Sequence, residues 1–316
     1  MRIKPSVKRE VQALIASNNY QHARRKKIVS NATLEDRANF MHLAFRQLHE
    51  VLHTPIAPAQ FKGRHATALM QLWERQGLSA ATLQKRFSYL RQLSRWLGKD
   101  GMLHGGVSAY LKDPVAAERS YVAKVDRTWS GQGIDWAQLI AQIHAYDAYV
   151  GAQLTLEREL GLRAKEAIMC RPWESDKGNH FEISHGSKGG RPRTIPIDTS
   201  EKRSAVDLAQ SLVSDPSQYL GSRGNSLRQN ISRYYYVLRK FGVTRNDLGV
   251  TGHGLRHEYA NELYGTLAGQ PSPLHGGLPV PTETDSAARL SVAKHLGHGR
   301  RQITSAYLGG VLTRAR

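Results

Sequence analysis

The chain has 316 residues, 40% of them apolar, enough to give each of two domains its own core. Its 45 Lys and Arg outweigh 26 Asp and Glu to leave a formal charge of +19, so the expected partner is a polyanion, nucleic acid first. No stretch approaches the roughly 18 apolar residues of a spanning helix, and the charge is spread along the chain instead of forming one amphipathic helix, which argues against a membrane.

The opening segment MRIKPSVKREVQAL lacks the apolar stretch of a signal peptide, so a cytoplasmic location is expected. A single cysteine, Cys170, excludes an intrachain disulfide and a cysteine-based zinc cluster. Following Ile168-Met169, it reads as a buried structural thiol.

The first third reads as helical. Thr33 opens a segment through Phe40, Ala44 and Leu48, and a second runs from Thr67 to Gln76 and closes at Gly77. The clearest helix has Ser79 as N-cap, a stripe of Leu83, Phe87, Leu90, Leu93 and Leu97, and Gly98 at its stop. Lys85, Arg91, Gln92 and Arg95 on its other face, like the run Arg24-Arg25-Lys26-Lys27, suit either a solvated surface or phosphate contact.

Between about Lys99 and Gly133 periodicity fades and glycines accumulate, which predicts a linker and a domain boundary near residue 125. Helical spacing returns at Asp135, through Trp136, Leu139, Ile140 and Ile143, and again from Tyr149 to Leu160. Phe181–Ser184 and Arg193–Ile197 are β-prone runs flanking Gly186-Ser187-Lys188-Gly189-Gly190, a predicted hairpin with Lys188 in its turn. Helices resume near Ser200. Leu227 to Phe241, with Arg228, Arg233, Arg239, Lys240 and Tyr234 to Tyr236, reads as a mixed core-and-surface helix or a DNA-facing one. Four Gly and four Pro within the 17 residues from Gly265 to Pro281 predict a long loop without regular structure.

Three local patterns carry chemistry. His253-Gly254-Leu255-Arg256 opens a helix with His253 and Arg256 on one side of the first turn, near the positive end of the dipole, a geometry suited to a phosphate. In Leu296-Gly297-His298, Gly297 ends a helix that begins near Asp285 and lets His298 face a cleft; Tyr307 follows nine residues later. The third is Leu160-Gly161-Leu162-Arg163 with Glu166 three positions on. Singly, the first two patterns are better explained by an exposed His/Arg pair, a capping or surface histidine at His298 and an amphipathic core residue at Tyr307. His253/His257 and His295/His298 also have spacings that suit shared metal ligation, but no Asp or Cys partner stands with them.

Taken in order, Leu-Gly-Leu-Arg, a lysine in a β-turn, His-x-Leu-Arg, Leu-Gly-His and Tyr resemble the tyrosine recombinase (phage integrase) family, from about residue 135 to the end. The resemblance implies a mostly α protein with a small β-sheet: a helical, DNA-binding core-binding-like domain with its linker over residues 1–125, and an α+β catalytic domain over 126–316. It implies a site-specific recombinase in which Tyr307 attacks a DNA phosphodiester and leaves a 3′-phosphotyrosyl bond. Arg163 and Arg256 would clamp the non-bridging oxygens, Lys188 would protonate the leaving 5′-oxygen, His253 and His298 would assist, and Glu166 would support Arg163. No cofactor and no metal are expected. The implied partners are double-stranded DNA at specific sites, a homo-tetramer on that DNA, two domains closing around the duplex, and accessory DNA-bending proteins; the implied setting is the nucleoid, and the implied task is integrating or excising a mobile element.

Physical chemistry asks for the same set. A phenol with a pKa near 10 is only about one part in a thousand ionised at pH 7, so surrounding cations and a proton-accepting histidine are needed. A type IB topoisomerase-like strand transferase and a non-enzymatic DNA-binding regulator on the same scaffold are the alternative readings.

Overall fold

Capping serines set helix boundaries in the amino-terminal part of the chain. The computed structural model describes residues 4–20, 29–187, 190–222 and 224–311, and its residues group into two compact units, Met1–Ser120 and Tyr121–Arg316. The first unit holds α1 (Pro5–Asn18), α2 (Asn31–Leu52), α3 (Gly63–Arg75) and α4 (Ala80–Trp96). Ser30 and Ser79 cap α2 and α4, each hydroxyl accepting from a backbone N–H three residues on, Thr33 and Thr82. Each such cap contributes about 1 kcal/mol. Gly77 and Gly98 take left-handed φ of 67° and 66° just past α3 and α4, the conformation glycine adopts without steric cost.

The stripe read from the sequence faces inward: Leu83, Phe87, Leu90 and Leu93 join Phe40, Leu48, Leu69 and Trp73 in one core. The other face of α4 is engaged within this unit. Lys85 pairs with Asp36 at 2.8 Å, Arg95 with Asp100 at 3.5 Å, and Arg91 donates to the Gly105 carbonyl. The expected linker is more ordered than its composition suggests, because Leu103 and Leu111 are buried in the same core. Residues 121–125, assigned from sequence to the first domain, group with the second unit: the Ala123 N–H donates to the Ser305 carbonyl at 2.8 Å. The basic run Arg24–Lys27 lies outside the described residues.

The second unit continues with α5 (Trp136–Tyr146), α6 (Ala148–Glu159), α7 (Ala164–Ile168), α8 (Pro172–Ser175), β1 (His180–Ile183), β2 (Arg193–Pro196), α9 (Ser200–Ser211), α10 (Leu227–Lys240), α11 (His253–Ala268), α12 (Thr282–His295) and α13 (Ser305–Leu308). The sheet is one antiparallel pair in which Phe181 faces Ile195 and His180 faces Pro196. Leu156, Leu160, Leu162, Phe181, Ile195, Tyr259, Val292 and Leu308 share one core. Cys170 is buried in that core as expected, and burial pushes its thiol up to about 12. A second cluster, around Trp129, Ile143, Leu154, Tyr234 and Leu255, lies under α10.

Two expectations need adjustment. The segment from Gly265 is not loop at its start: α11 continues through Gly265 to Ala268 and ends at Gly269, φ 73°. One glycine inside a helix costs only about 1 kcal/mol, less than the flanking packing of Tyr259 and Tyr264 supplies. The helix expected to begin near Asp285 starts three residues earlier, at Thr282 behind Pro281, which places Glu283 and Asp285 in its first turn. α10 is a mixed core-and-surface helix: Tyr234 is buried, Tyr235 and Tyr236 are exposed, and Arg233 pairs with the buried Asp147.

Candidate active site

The carboxyl end of α12 organises the site. Gly297, at φ 65°, lets the His298 N–H reach the Ala293 carbonyl at 2.8 Å and its own N–H reach Lys294 at 2.9 Å, a Schellman ending. That ending leaves the His295 and Leu296 carbonyls at the negative end of the helix dipole. Three guanidiniums gather there. Arg193 Nε donates to His295 O at 2.8 Å, Arg163 Nη2 to Leu296 O at 3.2 Å, and Arg256 Nη2 to the same Leu296 oxygen.

Glu166 holds the three cations together. Its carboxylate accepts from Arg163 Nη1 at 2.6 Å and from Arg193 Nη1 and Nη2 at 2.9 and 2.7 Å, and lies 3.8 Å from Arg256. It also accepts the Arg163 backbone N–H at 2.8 Å, which starts α7. Burial alone would raise this carboxyl, but the hydrogen bonds and charge of Arg193 and the charge of Arg163 win, holding it at about 2. It is therefore ionised throughout the working range.

Gly161 is fixed by close approach. At φ 61° its Cα sits so near the Tyr259 ring that a Cβ would come within 2.5 Å of it, and its carbonyl accepts from Arg256 Nη1. Arg256 is completely buried, and that burial lowers its pKa to about 10. It remains a cation, and its Nε has no hydrogen-bond partner among the described residues. Of the trio, Arg163 is the one that meets solvent, its side chain 23% exposed against 6% for Arg193.

α13 brings Tyr307 to this cluster. The phenol ring is buried and ringed by imidazoles: centroids lie 4.6 Å away for His257, 6.0 Å for His253 and 6.1 Å for His298. Tyr307 is also close enough to Arg256 for the two groups to interact electrostatically. His257 is pushed down to about 3, by burial and then by His253 and Arg127. His253 is lowered to about 4, first by the cost of desolvating its charge and then by Arg256, Arg163 and Arg127; the residue itself is exposed, and solvent screens those charges. Both of these imidazoles are neutral at pH 7 and able to accept a proton.

Five of the six side chains singled out from the sequence, Arg163, His253, Arg256, His298 and Tyr307, thus converge. The sixth, Lys188, lies outside the described residues. The turn that leads to it is anchored beside α7, since a Cβ on Gly186, φ 72°, would meet the Lys165 carbonyl at 2.6 Å. Nothing local in the sequence marks Arg193 or the packing of His257 on Tyr307. Arg193 reads as an ordinary strand residue, and His257, four positions after His253, registers only as a metal-ligand spacing. No group of three or more His, Cys, Asp or Glu arranged to hold a metal occurs among the described residues.

Residues 124–262 match the Integrase family and residues 15–103 the phage integrase N-terminal family. The chain belongs to the tyrosine recombinase family. It is a site-specific DNA recombinase of the integrase type. Among its relatives is the tyrosine recombinase XerC of Neisseria meningitidis serogroup C, 25% identical over 216 residues, which span 65% of this recombinase and 67% of the relative. The XerC of Xanthomonas axonopodis pv. citri is 26% identical over 219 residues, 66% and 67% of the two chains. The fold is shared with a lambda integrase dimer bound to a COC′ core site, with a TM-score of 0.60 and 16% identity over 94% of each chain. It is also shared with the Tn1549 transposon integrase in complex with circular intermediate DNA, with a TM-score of 0.57 and 16% identity over 96% of each. No helix among the described residues is long and apolar enough to cross a membrane.

Proposed function

We propose that the recombinase cleaves and rejoins duplex DNA at specific sites through a covalent bond between Tyr307 and a 3′-phosphate. The observation that carries this reading is the convergence of Arg163 and Arg256 on one helix end, with a phenol among imidazoles beside them. The Tyr307 oxygen attacks phosphorus as its proton passes to a neighbouring histidine, His253 or His298. The bond from phosphorus to the 5′-oxygen breaks, and that oxygen takes a proton from Lys188. Because the phosphotyrosyl bond keeps the energy of the bond it replaced, attack by a 5′-hydroxyl reverses the step without ATP or any other cofactor.

Charge builds on the non-bridging oxygens in the transition state, where planar guanidiniums bind it better than they bind the diester. Arg163 offers the solvent-facing guanidinium, and the unpartnered Nε of Arg256 is a donor that a phosphate oxygen would satisfy once the phenol turns toward the DNA. Glu166 serves as the fixed anion behind both. The helical first unit supplies further DNA contact as a core-binding domain, consistent with its match to the phage integrase N-terminal family. The working assembly is a tetramer on paired sites, assisted by DNA-bending proteins, and the biological task is integrating or excising a mobile element on DNA in the cytoplasm. The tetramer is supported by a solved lambda integrase tetramer bound to a Holliday junction, and the mobile-element task by the Tn1549 transposon integrase, both of which share this fold.

The test is incubation with nicked duplexes carrying candidate sites, then denaturing gels that detect protein–DNA adducts. Wild type forms the adduct, Arg256→Ala loses about 10²-fold or more in rate, on the scale of one lost transition-state donor, and Tyr307→Phe forms none. An adduct from Tyr307→Phe would overturn the assignment.

A further inference from the structure

We propose that Asn261, Ser272 and Arg289 are positioning residues for Tyr307, and that the Gly/Pro-rich loop after α11 exists in part to supply one of them. The inference rests on Tyr307 being the nucleophile. α13 is a single turn, too short to hold itself in place, so the location of its phenol is decided by what grips the backbone on either side.

The first grip comes from the loop. Ser272, with no solvent exposure, donates its hydroxyl proton to Asn261 Oδ1 at 2.6 Å. That bond fixes which way the Asn261 amide faces, so Nδ2 donates to the His257 carbonyl at 2.8 Å and to the Tyr307 carbonyl at 3.3 Å. Asn261 therefore ties the nucleophile's own backbone to the helix that carries His253, Arg256 and His257. The loop is itself seated firmly. The N–H groups of His275 and Gly277 donate to Ser272 O at 2.9 and 3.0 Å, and His275 pairs with Asp126 at 3.0 Å. Leu274 lies so close to Gly309, φ 79°, that a Cβ there would come within 3.1 Å of the Leu274 nitrogen.

The second grip comes from α12. Asp285 holds Arg289 Nε with both oxygens at 2.9 Å and accepts the Tyr264 hydroxyl at 2.7 Å. Arg289, 2% exposed, then donates Nη1 to Gly309 O at 3.2 Å and Nη2 to Gly310 O at 3.1 Å. Tyr307 thus stands just before this clamp, with its own carbonyl held by Asn261. A buried cation spending two of its donors on consecutive backbone carbonyls just past a nucleophile has a geometric result: the phenol stays among the imidazoles of its own chain.

Displacing a reacting group by about 1 Å can cost 10²-fold in rate. The experiment uses the full chain in single-turnover cleavage of a nicked duplex at saturating protein, with DNA affinity and thermal midpoint measured in parallel. Asn261→Asp, which puts an acceptor where the Tyr307 and His257 carbonyls need a donor, is expected to slow cleavage by about 10²-fold with DNA affinity unchanged. Ser272→Ala should slow it by about tenfold, and Ser272→Thr, which keeps the hydroxyl, should recover most of that loss. If Asn261→Asp fails to fold, the comparison of Ser272→Ala with Ser272→Thr decides the matter. Wild-type cleavage rates in Ser272→Ala, or a loss that appears only in DNA affinity, would overturn the positioning role while leaving Tyr307 in place. Adduct formation by Tyr307→Phe would instead remove the nucleophile reading on which it rests.

Discussion

Glu166→Gln removes one negative charge from beneath three guanidiniums while keeping the shape of the side chain. A carboxyl held at about 2 in the folded protein, against an ordinary 4.5, contributes about 3 kcal/mol of stability at neutral pH, at about 1.4 kcal/mol per pH unit. Because the folded pKa is the lower one, that contribution is present above pH 4.5 and disappears as pH falls from 4.5 to about 2. Glutamine keeps one acceptor, but it leaves the buried Arg193 and the partly exposed Arg163 without their counter-ion, and breaking a buried pair costs about 3–5 kcal/mol. The variant should therefore lose about 3 kcal/mol in urea unfolding at pH 7, and it should lose much less at pH 3. Its stability should also vary less than wild type's between pH 4.5 and 2. A loss under about 1 kcal/mol at pH 7, or an unchanged acid limb, would refute the account of Glu166 as the charge that assembles the cluster.

Glu157 presents the opposite sign. Burial pushes its carboxyl up to about 8, against the pull of its bond from the Tyr234 hydroxyl, so folding favours the protonated form and stability falls as pH rises from 4.5 to 8. Glu157→Gln should raise the unfolding free energy at pH 8 by an amount on the order of a few kcal/mol and leave it nearly unchanged at pH 4.5; equal shifts at both values would contradict this. Gly161→Ala forces a side chain into the Tyr259 ring at a left-handed φ, and it should cost about 2–4 kcal/mol along with adduct formation, since the Gly161 carbonyl holds Arg256; wild-type stability would contradict it. DNA affinity, measured by fluorescence anisotropy, should fall by about 10³ to 10⁵ between 50 and 200 mM salt if some six to ten phosphates are neutralised; a flat salt response would rule out backbone-dominated binding.

What the sequence made legible was local. Ser79, Gly77, Gly98 and Gly297 announce helix ends because caps depend on one side chain or one glycine. The stripe from Leu83 to Leu93 announces a buried face because helical spacing is fixed. Arg163, His253, Arg256, His298 and Tyr307 were legible as an ordered string, but nothing local says that the end of α12 is their meeting point. That fact depends on the orphan carbonyls at His295 and Leu296, which meet Arg163, Arg193 and Arg256 only in the folded chain. Arg193 escaped notice for the same reason: its partners, Glu166 and His295, are 27 and 102 residues away in sequence. The Gly/Pro composition of 265–281 predicts a long loop without regular elements but says nothing of how firmly it sits, and Ser272 inside it is fully buried and bonded.

A covalent bond between the Tyr307 oxygen and DNA would be visible by mass spectrometry of the peptides left after trapping the adduct on a nicked duplex. One modified peptide is expected, the one containing Tyr307, bearing the 3′-phosphate end of the cleaved strand. A 5′-phosphate end on that peptide, or a nucleotide attached to any other residue, would contradict it.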